Sequence, residues 1–210
     1  MIRIMFILVT AFSSLTLFGQ TKLSPEQQKQ MVEKIDKTAS VMTAMQCEFV
    51  QTKSMKLLSK EMHSKGIMYF KRPNKLRWQY ITPYDYTFIL NGDKVHIKSS
   101  KSTKNIDVQG NKMFRQITNI ILNSVTGGNL NSSTDFNVEM YKKDNSYYAK
   151  LFPKKKELKQ LYQVIEIYFD SSLTMVNRVR MLEKTGDETQ VKLNNTKLNI
   201  AVDDKIFLAN

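Results

Sequence analysis

The stretch Met68-Tyr69-Phe70-Lys71-Arg72-Pro73-Asn74-Lys75-Leu76-Arg77-Trp78-Gln79-Tyr80 decides the fold. Met68-Tyr69-Phe70 is apolar and aromatic, the composition of a strand. Arg72-Pro73-Asn74 carries turn chemistry, because proline fixes φ and asparagine tolerates tight positions. Leu76, Trp78 and Tyr80 then alternate with Arg77 and Gln79, the period of a half-buried strand. The reading is strand, turn, strand. If register is kept across the turn, Met68, Phe70, Arg72, Leu76, Trp78 and Tyr80 share one face. That face is apolar, with a guanidinium at its edge.

Outward from this stretch, residues 46–100 read as successive antiparallel strands. Phe49 and Val50 begin one, and residues 53–65 form a long hairpin. Strands at 67–72, 75–81 and 86–90 follow. Asn91-Gly92 is a hairpin signal, after which Val95 and Ile97 alternate with His96 and Lys98. Residues 101–109 are a polar loop or an edge strand. Further strands are expected at 136–142, 146–152, 161–169, 174–183 and 188–195, with 197–202 a weaker candidate. Lys154-Lys155-Lys156 falls in a solvated connection. Nothing here has the helical insertions that parallel βαβ units need.

Two helices break the pattern. The first runs over 24–45. Ser24 is a good N-cap, Pro25 stands at the first helical position, and Gln27 closes a capping box. Met31, Val32, Ile35, Ala39, Met42 and Met45 form its apolar stripe. The second runs over 113–125, with Phe114, Ile117, Ile120, Ile121 and Val125 on one face and Gly127-Gly128 ending it. A short amphipathic helix in a mainly β chain must lie on a sheet face. The expected fold is mainly β with α: an incomplete (half) antiparallel β-barrel whose helices cover the concave face and enclose a lipid-sized apolar cavity.

The 210 residues suit one domain, over 20–210. Residues 1–19 read as a signal peptide, with Arg3 ahead of an apolar run too short to span a membrane comfortably; an uncleaved anchor is the alternative. A net charge of +13 fits a polyanion, an anionic membrane surface, an acidic partner, or simply a solubilised surface. Cys47 is the only cysteine, which excludes an internal disulfide. No phosphate-binding, dinucleotide, nucleophile-elbow or zinc-protease motif is present. The two histidines, His63 and His96, are placed as strand or loop residues. Asp203-Asp204 beside Lys205 reads as a surface turn. No catalysis, metal or cofactor is expected.

The run Gly66-x-x-x-Phe70-Lys71-Arg72-Pro73-Asn74-x-Leu76-x-Trp78, then Pro83 and Asn91-Gly92-Asp93-Lys94, resembles the LolA family, periplasmic carriers of outer-membrane lipoproteins. Phe49-Val50-Gln51 upstream extends the likeness. So do Ile165-Glu166-Ile167-Tyr168-Phe169, Lys184-Thr185-Gly186, Asn199-Ile200 and Lys205-Ile206-Phe207 downstream. The resemblance implies a periplasmic, monomeric chaperone that binds lipoprotein acyl chains and has no nucleic-acid partner. Met68, Phe70, Leu76, Trp78, Tyr80 and Phe88 would line its cavity. Ile35, Met42, Phe114, Ile117 and Ile121 would form the lid. Arg72 would hydrogen-bond the lid helices as a latch, at a helix C-terminus whose dipole favours a cation. An inner-membrane ABC transporter would supply acylated lipoproteins, and an outer-membrane acceptor, if present, would take them.

Energetics fit that implication. At about 0.8 kcal/mol per methylene, three acyl chains carry roughly 30 kcal/mol, above the ~20 at which non-covalent affinity saturates. A carrier therefore needs a partner to extract its cargo. Two departures from the family pattern stand out: Leu76 where an aromatic often follows the turn, and Arg77 as a second cation, which would share or loosen control of the lid. Two other readings stay open. One is a lipid- or lipoprotein-sensing regulatory module on the same scaffold. The other is a polyanion binder, against which export and the dispersed basic residues argue.

Overall fold

Strands that alternate apolar and polar residues bury one face and wet the other, so successive hairpins add to a single sheet. The computed structural model describes residues 20–99, 102–107, 119–120, 122–123, 126, 130, 133–173 and 175–209. The signal-peptide reading, and most of the helix read over 113–125, lie outside them. Among the described residues, twelve strands form one antiparallel sheet. They are β1 (Thr21–Lys22), β2 (Ala44–Met55), β3 (Lys60–Lys71), β4 (Lys75–Thr82), β5 (Tyr86–Asn91), β6 (Lys94–Ser99) and β7 (Thr103–Asp107). After them come β8 (Phe136–Lys143), β9 (Ser146–Pro153), β10 (Tyr162–Phe169), β11 (Val176–Glu183) and β12 (Glu188–Leu198). The order is β1-β8-β9-β10-β11-β12-β2-β3-β4-β5-β6-β7. β1 and β7 stand at opposite edges, so the barrel is incomplete, as expected.

Helix α1 (Pro25–Val41) covers the inner face. Its start has the predicted capping box: Ser24 accepts from the Gln27 amide, and the Gln27 side chain accepts from Ser24 N–H. Val32, Ile35 and Ala39 are buried on its inward side, and the first two join the main core with Met45, Cys47, Phe49, Met68, Phe70 and Leu76. Its first turns are tied to β8, where Gln28 donates to Val138 O and accepts from the Met140 amide.

The helix ends at Val41 rather than at residue 45. Met42 is its C-cap, and Met45 belongs to β2, opposite Phe70. Both methionines still point into the core, which is why a helical stripe absorbed them. Lys156 opens an unforeseen short helix, α2 (Lys156–Leu161), instead of lying in a loop. No strand covers 199–202; Asn199 takes φ +53 and its side chain accepts from the Thr43 amide.

A second, smaller core forms on the outer face, where Ala44 and Ile89 pack with Val202 and Phe207. The C-terminal 3-10 turn Asp204–Phe207 is clasped there by three cations. Lys71 Nζ donates to Val202 O and Asp204, Lys75 pairs with Asp204, and Arg77 donates to Ile206 O at 3.0 Å. Arg77 therefore serves the C-terminus, on the outer face of the sheet. Strand parity is the reason, because it points opposite to Leu76 and Trp78.

Gly66 has a steric duty at the centre of the sheet. A Cβ there would lie 2.0 Å from Gln79 O and 2.5 Å from Phe49 Cζ. The missing side chain lets the Phe49 ring lie across β3 and reach Trp78. Gly66→Ala is expected to cost about 2–3 kcal/mol through overpacking, a Tm drop of roughly 5–10 °C for a chain of this size. Thermal unfolding followed by circular dichroism checks this; an unchanged Tm would show that both the β4 backbone at Gln79 and the Phe49 ring give way freely.

Candidate functional site

The register puts the residues read from the central stretch on one face. Met68 pairs with Trp78, Phe70 with Leu76, Gly66 with Tyr80, and Trp78 with Phe88. Their environments are not alike. Met68, Phe70 and Leu76 are 0%, 2% and 0% exposed, whereas Trp78, Tyr80 and Phe88 are only partly buried. A side chain with no accessible surface borders no water-sized void. Over Met68 and Leu76 the inner face is therefore filled by the protein's own side chains, Ile35 and Met42 among them. Of the three, Phe70 also lines a cavity of about 520 Å³ beside Arg72. Composition supplies apolar surface without saying whether the chain itself occupies it.

Openness grows toward the other end of the strands. There a cleft of about 220 Å³ is lined by Ser64, Tyr80, Thr82, Pro83, Tyr84 and Tyr86. From it an aromatic file runs inward. Ring centroids are 5.9 Å apart for Tyr86–Tyr80, 5.1 Å for Tyr80–Phe49 and 4.6 Å for Phe49–Trp78. Tyr80 donates to Gln51 Oε1 at 2.9 Å. Burial raises the Tyr80 hydroxyl's pKa, with Trp78 and Gln51 opposing the rise, and burial alone raises that of Tyr86. Trp78 Nε1–H lies buried beside this group without completing a hydrogen bond. Cys47, deep on the same face, is pushed up to about 12 by burial and stays a thiol.

Sequence reasoning did not assign Met45, Cys47, Phe49 or Tyr86 to this face. The alternation Met45, Cys47, Phe49 within β2 is the signal that could have found the first three.

Arg72 stands at the β3–β4 turn. Its Nε donates to Met42 O at 2.5 Å and an Nη to Ala39 O at 2.6 Å, while its backbone amide donates to Thr43 O. The guanidinium thus meets carbonyls that the end of α1 leaves without helical partners. A cavity of about 520 Å³ lies beside it, bordered by Asp36, Ser40, Asn74, Asn119, Asn123 and Thr126 among others. Of the second helix, residues 119, 120, 122, 123 and 126 are helical; Ile120 is buried and Leu122 packs on the main core. Phe114, Ile117 and Ile121 lie outside the described residues. Among the described residues, no three His, Cys, Asp or Glu side chains converge as metal ligands, and no helix is long and apolar enough to cross a membrane.

An open antiparallel barrel with a helix across its inner face is a binding scaffold. The model of the family "Outer membrane lipoprotein carrier protein LolA" matches residues 40–210, and the chain belongs to that family. Among solved structures, a LolA superfamily protein from Nitrosomonas europaea has a similar fold at 13% identity. The match covers 86% of this chain and 96% of that one, with a TM-score of 0.50. MucB, in the MucA/MucB complex of Pseudomonas aeruginosa, is similar at 10% identity and a TM-score of 0.51, covering 88% of this chain and 61% of that one. At these identities the likeness concerns the fold alone. No curated protein sequence matches the chain.

Arg72 is itself solvent-exposed, so screening moderates its two bonds. Arg72→Leu is expected to destabilise by about 1–2 kcal/mol and to speed amide exchange in the last turn of α1. Hydrogen exchange by mass spectrometry reads this; unaltered protection at residues 38–42 would detach Arg72 from the helix end.

Proposed function

We propose that this protein is a periplasmic carrier that takes the acyl chains of lipoproteins from an inner-membrane ABC transporter and delivers them to the outer membrane. The observation that carries the reading is the graded inner face. Met68 and Leu76 are packed over by the protein's own side chains, while Trp78, Tyr80 and Phe88 are partly exposed toward the Tyr80–Tyr86 cleft. Membership of the LolA family supports it. Residues 1–19 serve as the export signal, residues 20–210 are the carrier domain, and the carrier acts as a monomer. The protein binds and releases; it catalyses nothing and needs no cofactor.

Acyl chains enter at the aromatic cleft and displace Ile35, Met42 and their neighbours from Met68, Phe70 and Leu76. Apolar contacts replace apolar contacts, so the exchange lies near balance. Arg72 tips it, because its bonds to Ala39 O and Met42 O exist only while α1 stays docked. Closure then helps expel cargo to an acceptor. Phe114, Ile117 and Ile121 complete the lid in this scheme.

The test is native mass spectrometry of the protein with inner-membrane vesicles, its transporter and ATP. An acylated lipoprotein adduct that forms only with ATP is expected. Free phospholipid bound regardless of ATP would replace transport by lipid sensing. The likeness to MucB, seen in complex with MucA, favours that second reading.

Two variants sharpen the test. Arg72→Leu is expected to load but to deliver poorly, and normal delivery would remove Arg72 from the mechanism. Trp78→Asp, with an unpaired charge on the inner face, is expected to weaken acyl binding about 100-fold (roughly 3 kcal/mol). Unchanged binding by the folded variant would place the chains elsewhere.

A further inference from the structure

We propose that the tip of the β2–β3 hairpin, Lys56 to Lys60, is a docking point for anionic phospholipid bilayers. β2 and β3 pair over twelve residues each, from Ala44↔Lys71 to Met55↔Lys60. β4 leaves β3 at Lys65↔Thr82, so residues 60–64 run on without it, roughly 17 Å of strand. At the end of this projection Leu57 is 93% exposed and Leu58 66% exposed. Two adjacent leucines so exposed cost solubility.

The tip is held in place. The Lys56 amide donates to Asp187 Oδ1 at 3.0 Å, and the Ser59 amide closes the turn on Lys56 O. A second apolar point lies at the same end of the sheet, in the β4–β5 turn, where Tyr84 is 67% exposed; Ile81, near the end of β4, is 53% exposed. The direction of the strands brings both turns to one side.

Charge chooses the partner. Lys56 and Lys60 flank the leucines, and among the described residues neither is in an ion pair. The nearby carboxylates are engaged or peripheral: Glu61 with Ser54 and His63, Asp187 with the Lys56 amide, and Asp85 in the neighbouring turn. A convex tip of leucines between free ammonium groups suits a deformable medium whose surface is anionic and whose interior is apolar. The net charge of +13 draws the molecule toward the same surface. Docked this way, the cleft lined by Ser64, Tyr80 and Tyr84, at the base of the hairpin, faces the bilayer. The inference goes beyond the carrier reading and is tested without cargo.

The experiment is vesicle co-sedimentation of the full chain. It compares phosphatidylethanolamine vesicles containing phosphatidylglycerol with neutral phosphatidylcholine vesicles. Wild type and variants share one N-terminus, so differences between them read the tip. Leu57→Ser with Leu58→Ser is expected to lower partitioning into anionic vesicles by at least about tenfold, with Tm unchanged. Lys56→Gln with Lys60→Gln is expected to lower it by about tenfold at low salt and by less at high salt. Leu57→Trp is expected to shift its emission to the blue on vesicle binding, against the background of the partly buried Trp78. Equal partitioning of the serine variant and wild type, or no emission shift from Leu57→Trp, overturns the proposal. Wild type that pellets with neither vesicle also overturns it, and hands the leucine tip to a protein partner.

Discussion

A sheet that does not close must cover its apolar inner face with something other than itself. Among the described residues, twelve strands run from β1 at one edge to β7 at the other, and α1 packs against the inner face. The rest of the structure follows from that need. The helix is secured at both ends, by Gln28 and the Ser24–Gln27 box beside β8 and by Arg72 beside β3. In its middle, Val32 and Ile35 add apolar contact with the core. Directional bonds at the ends and non-directional burial between them suit an element that must dock without being locked. Hydrophobic contact is indifferent to what supplies the apolar surface, whereas a hydrogen bond is not. An acyl chain can stand in for Ile35 or Met42, but it offers nothing to Arg72.

Parity divides the basic residues of the central hairpin between two tasks. Arg72 shares the face of Phe70 and reaches α1; Lys71, Lys75 and Arg77 take the other face and grip the C-terminal turn. One short turn thus fixes both the inner cover and the outer clasp. The C-terminal clasp is anchored by Phe207, fully buried against Ile89. It stiffens β3 to β5 from behind, so that displacement of α1 need not disturb the wall on which Met68, Trp78 and Phe88 stand.

Period-2 alternation made this wall legible from sequence. Leu76, Trp78 and Tyr80 could face only one way, and the pairing across the turn extended that face to Met68 and Phe70. The capping box of α1 was equally plain, because its chemistry is local. What failed was non-local. Met45 satisfied a helical stripe as well as a strand face, and only the pairing of β2 with β3 and β12 decides between them. The six residues of α2 are too few to show a helical period. How much open space the inner face encloses was not legible in the same way: periodicity tells which residues face inward, while occupancy depends on what is packed opposite. Arg77 was readable in principle, since its alternation with Leu76 and Trp78 already assigned it to the outer face.

The packing over Met68 and Leu76 also bears on how tightly such a protein can hold a lipid. Binding into an existing apolar cavity would gain the full transfer free energy of each methylene, about 0.8 kcal/mol, and cargo of several chains would scarcely leave. In the proposed carrier, each acyl contact on Phe70 or Leu76 would displace a contact those residues already have. Net affinity is then the difference between two apolar packings, and the larger gain comes from surface that the empty protein leaves partly wet, at Trp78, Tyr80 and Phe88. Near-zero exposure at one end and partial exposure at the other therefore set a moderate, reversible affinity with a preferred point of entry. In the proposed carrier, the side chains packed over Met68 and Leu76 are in this sense part of the binding site, because they keep the grip weak enough to be undone.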